Sequence, residues 1–549
     1  MPRAAAAILI GVHLSLGVWA ARTHSATFDE PFHIASGCST WKTGDRRLSL
    51  SNPPLGPMLI SAPLIFQKIA LPLETKEWSG SFAVAFAERF LYWSGNDADR
   101  IVLSARLVNL LLSCLLGLLL WHFARSRWGD WPALLALSFY CFSPALLAHG
   151  SLATVDFPAT FFGVSSVLAM LAFLREPAPR PALAAGALSA AGFLCKYTAL
   201  LLWPAYALIL LWKLGREGKR FFPALRMFLL FALLPFLGFI ALHICLDREA
   251  AMGLLRYSMK AGWGHPSFLL GRYSSQGWPA YYAVAFLAKS TLAEIVLLAG
   301  LLWLLARGEE TAAAAAALMC AYFAAASCSH TQLGLRHVLP AYPLLALAAA
   351  PAAKRLAAGW RYGARFAAAA AFCHALSSAA AAPHFLSYFN EAAGGPSNGY
   401  RILVDSNLDW GQDLKRLAEF LKSEGNPEVI LSYFGTASPE YYGIRAQRLE
   451  SENAIQLRWR DSDRPARELL VVSATNLQGV YYPPEQRLCW LKDVRPIARV
   501  GYSLFVYDVT RDAATHRRLA GIYSLRGDAP LAERELRRAQ IISAGRGGA

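Results

Sequence analysis

The segment Thr27-Phe-Asp-Glu-Pro-Phe-His33 places two adjacent carboxylates, Asp29 and Glu30, just ahead of a histidine. Such a set can take a proton as a general base, ligate a divalent cation, or do both. Equally, acids at a helix N-terminus complement its dipole. A third acid, Asp156 in Ser151-Leu-Ala-Thr-Val-Asp-Phe-Pro158, heads an apolar run. A carboxylate there is costly unless a cation pairs with it or it caps the helix. Cations are available: Lys196 in Gly192-Phe-Leu-Cys-Lys-Tyr-Thr198, Lys289 inside an apolar stretch, Arg336-His337 in Gly334-Leu-Arg-His-Val-Leu-Pro340, and Arg272 beside Tyr273. Singly, each can snorkel to a membrane surface. Gathered beside two carboxylates they suit an anion such as a lipid phosphate, leaving the carboxylates to accept a proton from a nucleophile. The run Asp405-Ser-Asn-Leu-Asp-Trp-Gly-Gln-Asp413 lacks the glycine and glutamate of a calcium loop. It reads either as a cap on a following helix or as a lid that stacks Trp410 on a sugar.

The elements that must hold these residues follow from composition. Of 549 residues, 55% are hydrophobic and 16% charged, and the mean hydropathy is +0.33. Soluble proteins carry about 25% charged residues, so a soluble enzyme and a disordered scaffold are excluded, and nine cysteines, mostly in apolar runs, do not make a disulfide framework. The net charge of +16 lies in short clusters between apolar runs, which is a positive-inside signal and not a nucleic-acid surface. Ala4 to Ala20 reads as a retained anchor rather than a cleaved signal. Further apolar runs at 101–121, 131–148, 157–174, 181–195, 197–212, 222–245, 280–306, 311–328, 337–353 and 364–383 bring the expectation to about eleven transmembrane helices.

Clusters such as Arg125/Arg127, Lys213/Arg216/Lys219/Arg220 and Lys354/Arg355/Arg361/Arg365 fall in alternate connections. They place the N-terminus inside, and 21–55, 148–156, 246–279, 329–337 and the C-terminal part outside. The proline-broken segment 54–93 is expected to re-enter or lie at the interface. Three parts are expected: a multispan part over 1–383, an outward soluble α/β domain over 384–510, and a helical hairpin over 511–549. In the second, Glu428–Phe434, Leu469–Ser473 and Ser503–Asp508 read as strands and Asp413–Ser423 as a helix. The hairpin is similar to one tetratricopeptide unit and must dock on the domain or on a protein partner.

Phe28-Asp-Glu-Pro-Phe-His33, Asn52-Pro-Pro-Leu55, the Asp156 segment, Lys196-Tyr-Thr198 and Gly334-Leu-Arg-His-Val-Leu-Pro340 together resemble bacterial membrane glycosyltransferases related to protein O-mannosyltransferases, the lipid-carrier-dependent enzymes of glycosyltransferase family 39 type with the GT-C fold. Tyr388-Phe-Asn-Glu391 through Asp413 is similar to the segment after the last span in one bacterial branch, so the resemblance covers about residues 1–415. It implies an inverting transfer of a sugar from a polyprenyl-phosphate donor to a hydroxyl of a protein, lipid or glycan, at the outer face of the cytoplasmic membrane. Asp29 would be the general base, with Glu30 and Asp156 completing the catalytic set. His33, Asn52, Tyr273 and Trp410 would bind sugar or acceptor, and Lys196, Arg272, Lys289, Arg336 and His337 the donor phosphate. Ser51-Asn52 stand where relatives commonly carry an acid followed by His or Lys, which speaks against a divalent metal here or else changes the donor head group recognised. The competing readings are a lipid-linked saccharide transporter and a non-catalytic assembly protein. Polar groups gathered at one interface, without internal repeats, favour the enzyme.

Overall fold

The computed structural model describes residues 1–49, 52–246, 248–449 and 465–546; Ser51, one of the two residues that bear on the metal, lies outside them. The chain forms two compact units. The first comprises Met1–Arg22, Asp29–Ser267 and Ser274–Gly395, and the second Thr23–Phe28, Phe268–Tyr273 and Pro396–Ala549.

The first unit is helical, because its apolar runs have no water to satisfy their backbone and must bond internally. Among the described residues, Pro2–Thr23, Ala98–Trp128, Asp156–Arg175, the run Tyr197–Cys245 and Glu310–Cys328 are long and apolar enough to cross a membrane, five in all, or up to seven with two bent pairs. The helices Pro179–Cys195, Ala341–Gly359 and Gly363–Ala380, of 17, 19 and 18 residues, occupy three further apolar runs.

Two runs expected as single spans are broken. Asp130–Cys141 and Pro144–Gly150 meet at 61°, where Pro144 cannot continue the helix before it. Tyr281–Lys289 and Leu292–Ala306 meet at 120°. Ser290 is extended there, and Thr291 restarts the helix with a reciprocal capping box to Glu294. The segment 54–93 breaks into short pieces, its longest apolar stretch being Leu55–Phe66, too short to cross.

The second unit carries a five-stranded mixed sheet. With a short hairpin of β1 (Ser267–Leu269) and β2 (Arg272–Ser274) preceding it in the chain, its strands are β3 (Glu428–Ser432), β4 (Ala446–Arg448), β5 (Glu468–Ser473), β6 (Ala498–Val500) and β7 (Leu504–Asp508), in the order β4-β3-β5-β7-β6. β3 runs parallel to β4 and β5, and β7 antiparallel to β5 and β6. β5, buried along its whole length, is the centre. The helix Leu414–Ser423 turns Leu414, Leu417 and Leu421 inward, the i, i+3, i+7 face the sequence implied.

The terminal helices Ala513–Leu525 and Ala529–Arg546 belong to this same unit rather than to a separate part. Buried His516 bridges Glu535 at 2.6 Å, and Arg538 reaches Glu468 of β5 at 3.1 Å. The hairpin therefore docks within its own chain.

Candidate active site

Asp29 occupies the N-cap position of the helix Glu30–Thr43 but makes no side-chain cap bond. Its carboxylate turns instead to Arg336, with Nη1 2.5 Å from Oδ2. Arg336 lies in the 3-10 turn Leu335–Val338. Its Nη1 is also 3.9 Å from Asp156 Oδ2. Asp156 opens the helix Asp156–Arg175, and its Oδ1 receives Lys196 Nζ at 2.5 Å. Lys196 is the extended residue that ends Pro179–Cys195, which frees its side chain from the helix surface. Two carboxylates and two cations thus alternate along one wall.

That wall bounds a cavity of about 350 Å³, which His33, Asn52 and His337 also line. The two acids are not equivalent: the Asp29 side chain is 29% exposed and that of Asp156 only 2%. Asp29 is therefore the more accessible of the two from the cavity. Burial pushes the Asp29 carboxyl up, but the Arg336 guanidinium and His33 outweigh it and hold the group below the ordinary carboxylate range. Burial likewise depresses His33, against the pull of Asp29 and Asp156. Its Nδ1 has no hydrogen-bond partner among the described residues.

A divalent cation does not fit this donor set. The oxygens it would need are already held by an ammonium and a guanidinium, and a third positive charge between them would be repelled.

Other residues singled out in the sequence stand elsewhere. Glu30 is fully buried, taking Arg106 Nε and Nη2 at 2.7 Å each and the Ala153 N–H at 2.7 Å. It carries no free oxygen edge for chemistry. Lys289 is buried on the carbonyls of Leu386 and Tyr388, both at 2.9 Å, with Phe389 4.6 Å from its nitrogen. It fixes the chain after the last apolar helix and has no face for a phosphate. Arg272 is exposed on β2, and the hydroxyl of Tyr273 donates to Gln478 O at 2.7 Å while Arg487 covers its ring, all within the second unit. Trp410 is 1% exposed. An indole so enclosed offers no open face, which corrects the expectation of a sugar-stacking surface.

Sequence reasoning passed over Arg106, Arg256, Tyr282 and Tyr322. Arg106 interrupts the apolar run 101–121, and an arginine there demands a partner; that signal was available. Arg256, Tyr282 and Tyr322 line the cavity. The tyrosines read as interfacial aromatics, which is their commoner role.

Residues 99–240 match the family model described as dolichyl-phosphate-mannose-protein mannosyltransferase. No curated protein matches the chain significantly. Among solved structures, the chain is similar to ArnT from Cupriavidus metallidurans in its apo state, with a TM-score of 0.48, 13% identity, and coverage of 91% of this chain and 97% of that one. The same protein bound to undecaprenyl phosphate gives a TM-score of 0.46 at the same identity and coverage. The matched stretch 99–240 holds Asp156 and Lys196, so half of the charged quartet lies where the chain is similar to that mannosyltransferase family.

Proposed function

We propose that this protein is a multipass membrane glycosyltransferase that moves a sugar from a polyprenyl-phosphate donor to an acceptor hydroxyl with inversion at the anomeric carbon. The observation that carries the reading is the quartet Asp29–Arg336–Asp156–Lys196 on the wall of one cavity. The donor's phosphate competes with the carboxylates for Lys196 and Arg336. Asp29 then accepts the proton of the acceptor hydroxyl as its oxygen attacks the anomeric carbon from the face opposite the phosphate. The bond from that carbon to the phosphate oxygen breaks, and the electron pair leaves with polyprenyl phosphate. Lys196, Arg336 and His337 offset the charge that gathers there. A phosphate departs without a strong general acid, and the site supplies none. Asp156 holds Lys196 in place and offers its remaining oxygen to the sugar; His33 and Asn52 line the same space.

In this reading about eleven helices cross the cytoplasmic membrane, the N-terminus is cytoplasmic, and the cavity and second unit work at the outer face. The family match over 99–240 and the placement of the basic clusters support it. Purified protein given a radiolabelled polyprenyl-phosphate sugar and a membrane extract as acceptor source should release polyprenyl phosphate. Asp29→Asn should abolish release. Movement of the intact lipid-linked sugar across vesicles, with no glycosidic bond made, would replace the enzyme by a transporter.

A further inference from the structure

The turn that leads into Asp156 is held by side chains. Among the described residues, Leu152, Ala153 and Thr154 make no backbone–backbone hydrogen bond. Their carbonyls turn instead to one amide: Asn109 Nδ2 donates to Leu152 O at 2.6 Å and to Thr154 O at 2.8 Å. The Ala153 N–H, on the opposite edge of the trans peptide from the Leu152 carbonyl, donates to Glu30 Oε1 at 2.7 Å, an acceptor that a glutamine would also supply. Asn109 is fully buried in the helix Ala98–Trp128, one turn beyond Arg106 on the same face. A carboxamide inside an apolar span is costly and has to be matched by partners. Asn109 Oδ1 has none among the described residues, so the two bonds to the turn are what orient the amide. Past Thr154 the chain has little slack. A Cβ on Gly56 would come within 2.8 Å of Val155 Cγ1 and 3.1 Å of the carbonyl of Cys195, the residue before Lys196. The segments that carry Asp156 and Lys196 therefore meet across a glycine. All of these residues belong to the first unit.

We infer that Asn109 is a positioning residue for the transfer reaction: its amide fixes the Leu152–Thr154 turn and so the place of the Asp156 carboxylate. The inference rests on the cavity quartet being the site of transfer. Asp156 holds Lys196 at 2.5 Å and stands 3.9 Å from Arg336, so a shift of the turn moves both cations that face the departing phosphate. Misplacement on the order of 1 Å lowers a rate by about 100-fold. Only an amide nitrogen of this reach can donate to two carbonyls at once, because the hydroxyl of a serine or threonine has a single hydrogen to give.

The test is a double-mutant cycle in the full-length protein, read as kcat for release of polyprenyl phosphate per folded molecule. Asn109→Leu keeps the branched shape and removes both donors; it should lower kcat by about 10- to 100-fold. Asp156→Asn should lower kcat by about 100-fold. Adding Asn109→Leu to Asp156→Asn should cost less than about threefold more, because Asn109 acts through the carboxylate already removed. A kcat of Asn109→Leu within about threefold of wild type, or the same factor lost in both backgrounds, would overturn the inference. If Asn109→Leu accumulates poorly, Asn109→Ser, too short to span both carbonyls, carries the same expectations. If Asp156→Asn keeps full turnover, the reading of the quartet falls and this inference with it. If Asp156→Asn is impaired while Asn109→Leu is fully active, only the positioning inference falls.

Discussion

Glu30 and Arg106 offer the sharpest separation of support from chemistry. Their side chains are 0% and 1% exposed and meet through two parallel bonds of 2.7 Å. Arg106 Nη1 also donates to Ala21 O at 2.7 Å, and Glu30 Oε1 also accepts Ala153 N–H at 2.7 Å. Glu30→Gln leaves a guanidinium buried against a neutral amide, one arm of which points N–H at N–H. Removing one member of such a pair costs about 3–5 kcal/mol, which lowers the folded-to-unfolded ratio about 150- to 5,000-fold. Arg106→Met should cost a similar amount. The double variant Glu30→Leu/Arg106→Met removes both charges and leaves two orphaned backbone groups, worth about 1–3 kcal/mol each. Its expected loss is therefore about 2–6 kcal/mol, against about 6–10 for the sum of Glu30→Leu and Arg106→Met made singly at about 3–5 each, a coupling of about 4 kcal/mol. Unfolding by sodium dodecyl sulfate in mixed micelles, followed by tryptophan fluorescence, measures the cycle. Turnover per folded molecule is measured on the same samples. Glu30→Gln should be unstable yet retain most of its turnover per folded molecule. A stable Glu30→Gln that is as inactive as Asp29→Asn, or losses that add without coupling, would refute the reasoning.

Other expectations follow from the same geometry. Asp29→Asn should lower turnover by about 10²–10⁴ while the protein still binds the donor lipid, read by co-purification of polyprenyl phosphate. Lys289→Met should destabilise by about 1.5–3 kcal/mol, the range for a charged hydrogen-bond group, and leave the KM for the donor unchanged in steady-state assays; a raised KM would return Lys289 to the phosphate site. In the second unit burial pushes Asp409 and Asp413 up to about 7, against their hydrogen bonds to Thr475 and Ser503. Folded protein therefore holds protons that the unfolded chain releases near pH 4, so this stability is complete below about pH 4 and is lost as pH rises to 7, by about 1.4 kcal/mol per pH unit for each group. Melting followed from pH 5 to 8 should show the midpoint falling and then levelling above 7, and Asp409→Asn should roughly halve the slope.

How far the sequence disclosed this arrangement depended on the range of each interaction. The apolar runs and the inward face of Leu414–Ser423 are periodic and local, and they stood in the sequence before any contact was known. β3, β5 and β7 were legible for the same reason, whereas β4 and β6 are three residues long and carry no alternation to read. The bend at Ser290-Thr291 was missed, although the Thr291-to-Glu294 spacing is a helix-start signature. Inside a continuous apolar stretch, hydrophobicity masked the cap.

Asp29 and Glu30 show where local reading stops. As types they are interchangeable, and adjacency made them one candidate pair. Successive residues at a helix start point about 100° apart, so their side chains enter different surroundings. One meets Arg106, 76 residues away, inside the helix packing, and the other meets Arg336, 307 residues away, at a cavity. An acid enclosed with its counter-charge holds the fold, and an acid left 29% open beside a cation keeps an oxygen accessible, as the proposed proton transfer requires. Nothing within ten residues of either distinguishes them. The distinction lies in the partner, and an unexplained arginine in an apolar run is the one mark of it that a sequence carries.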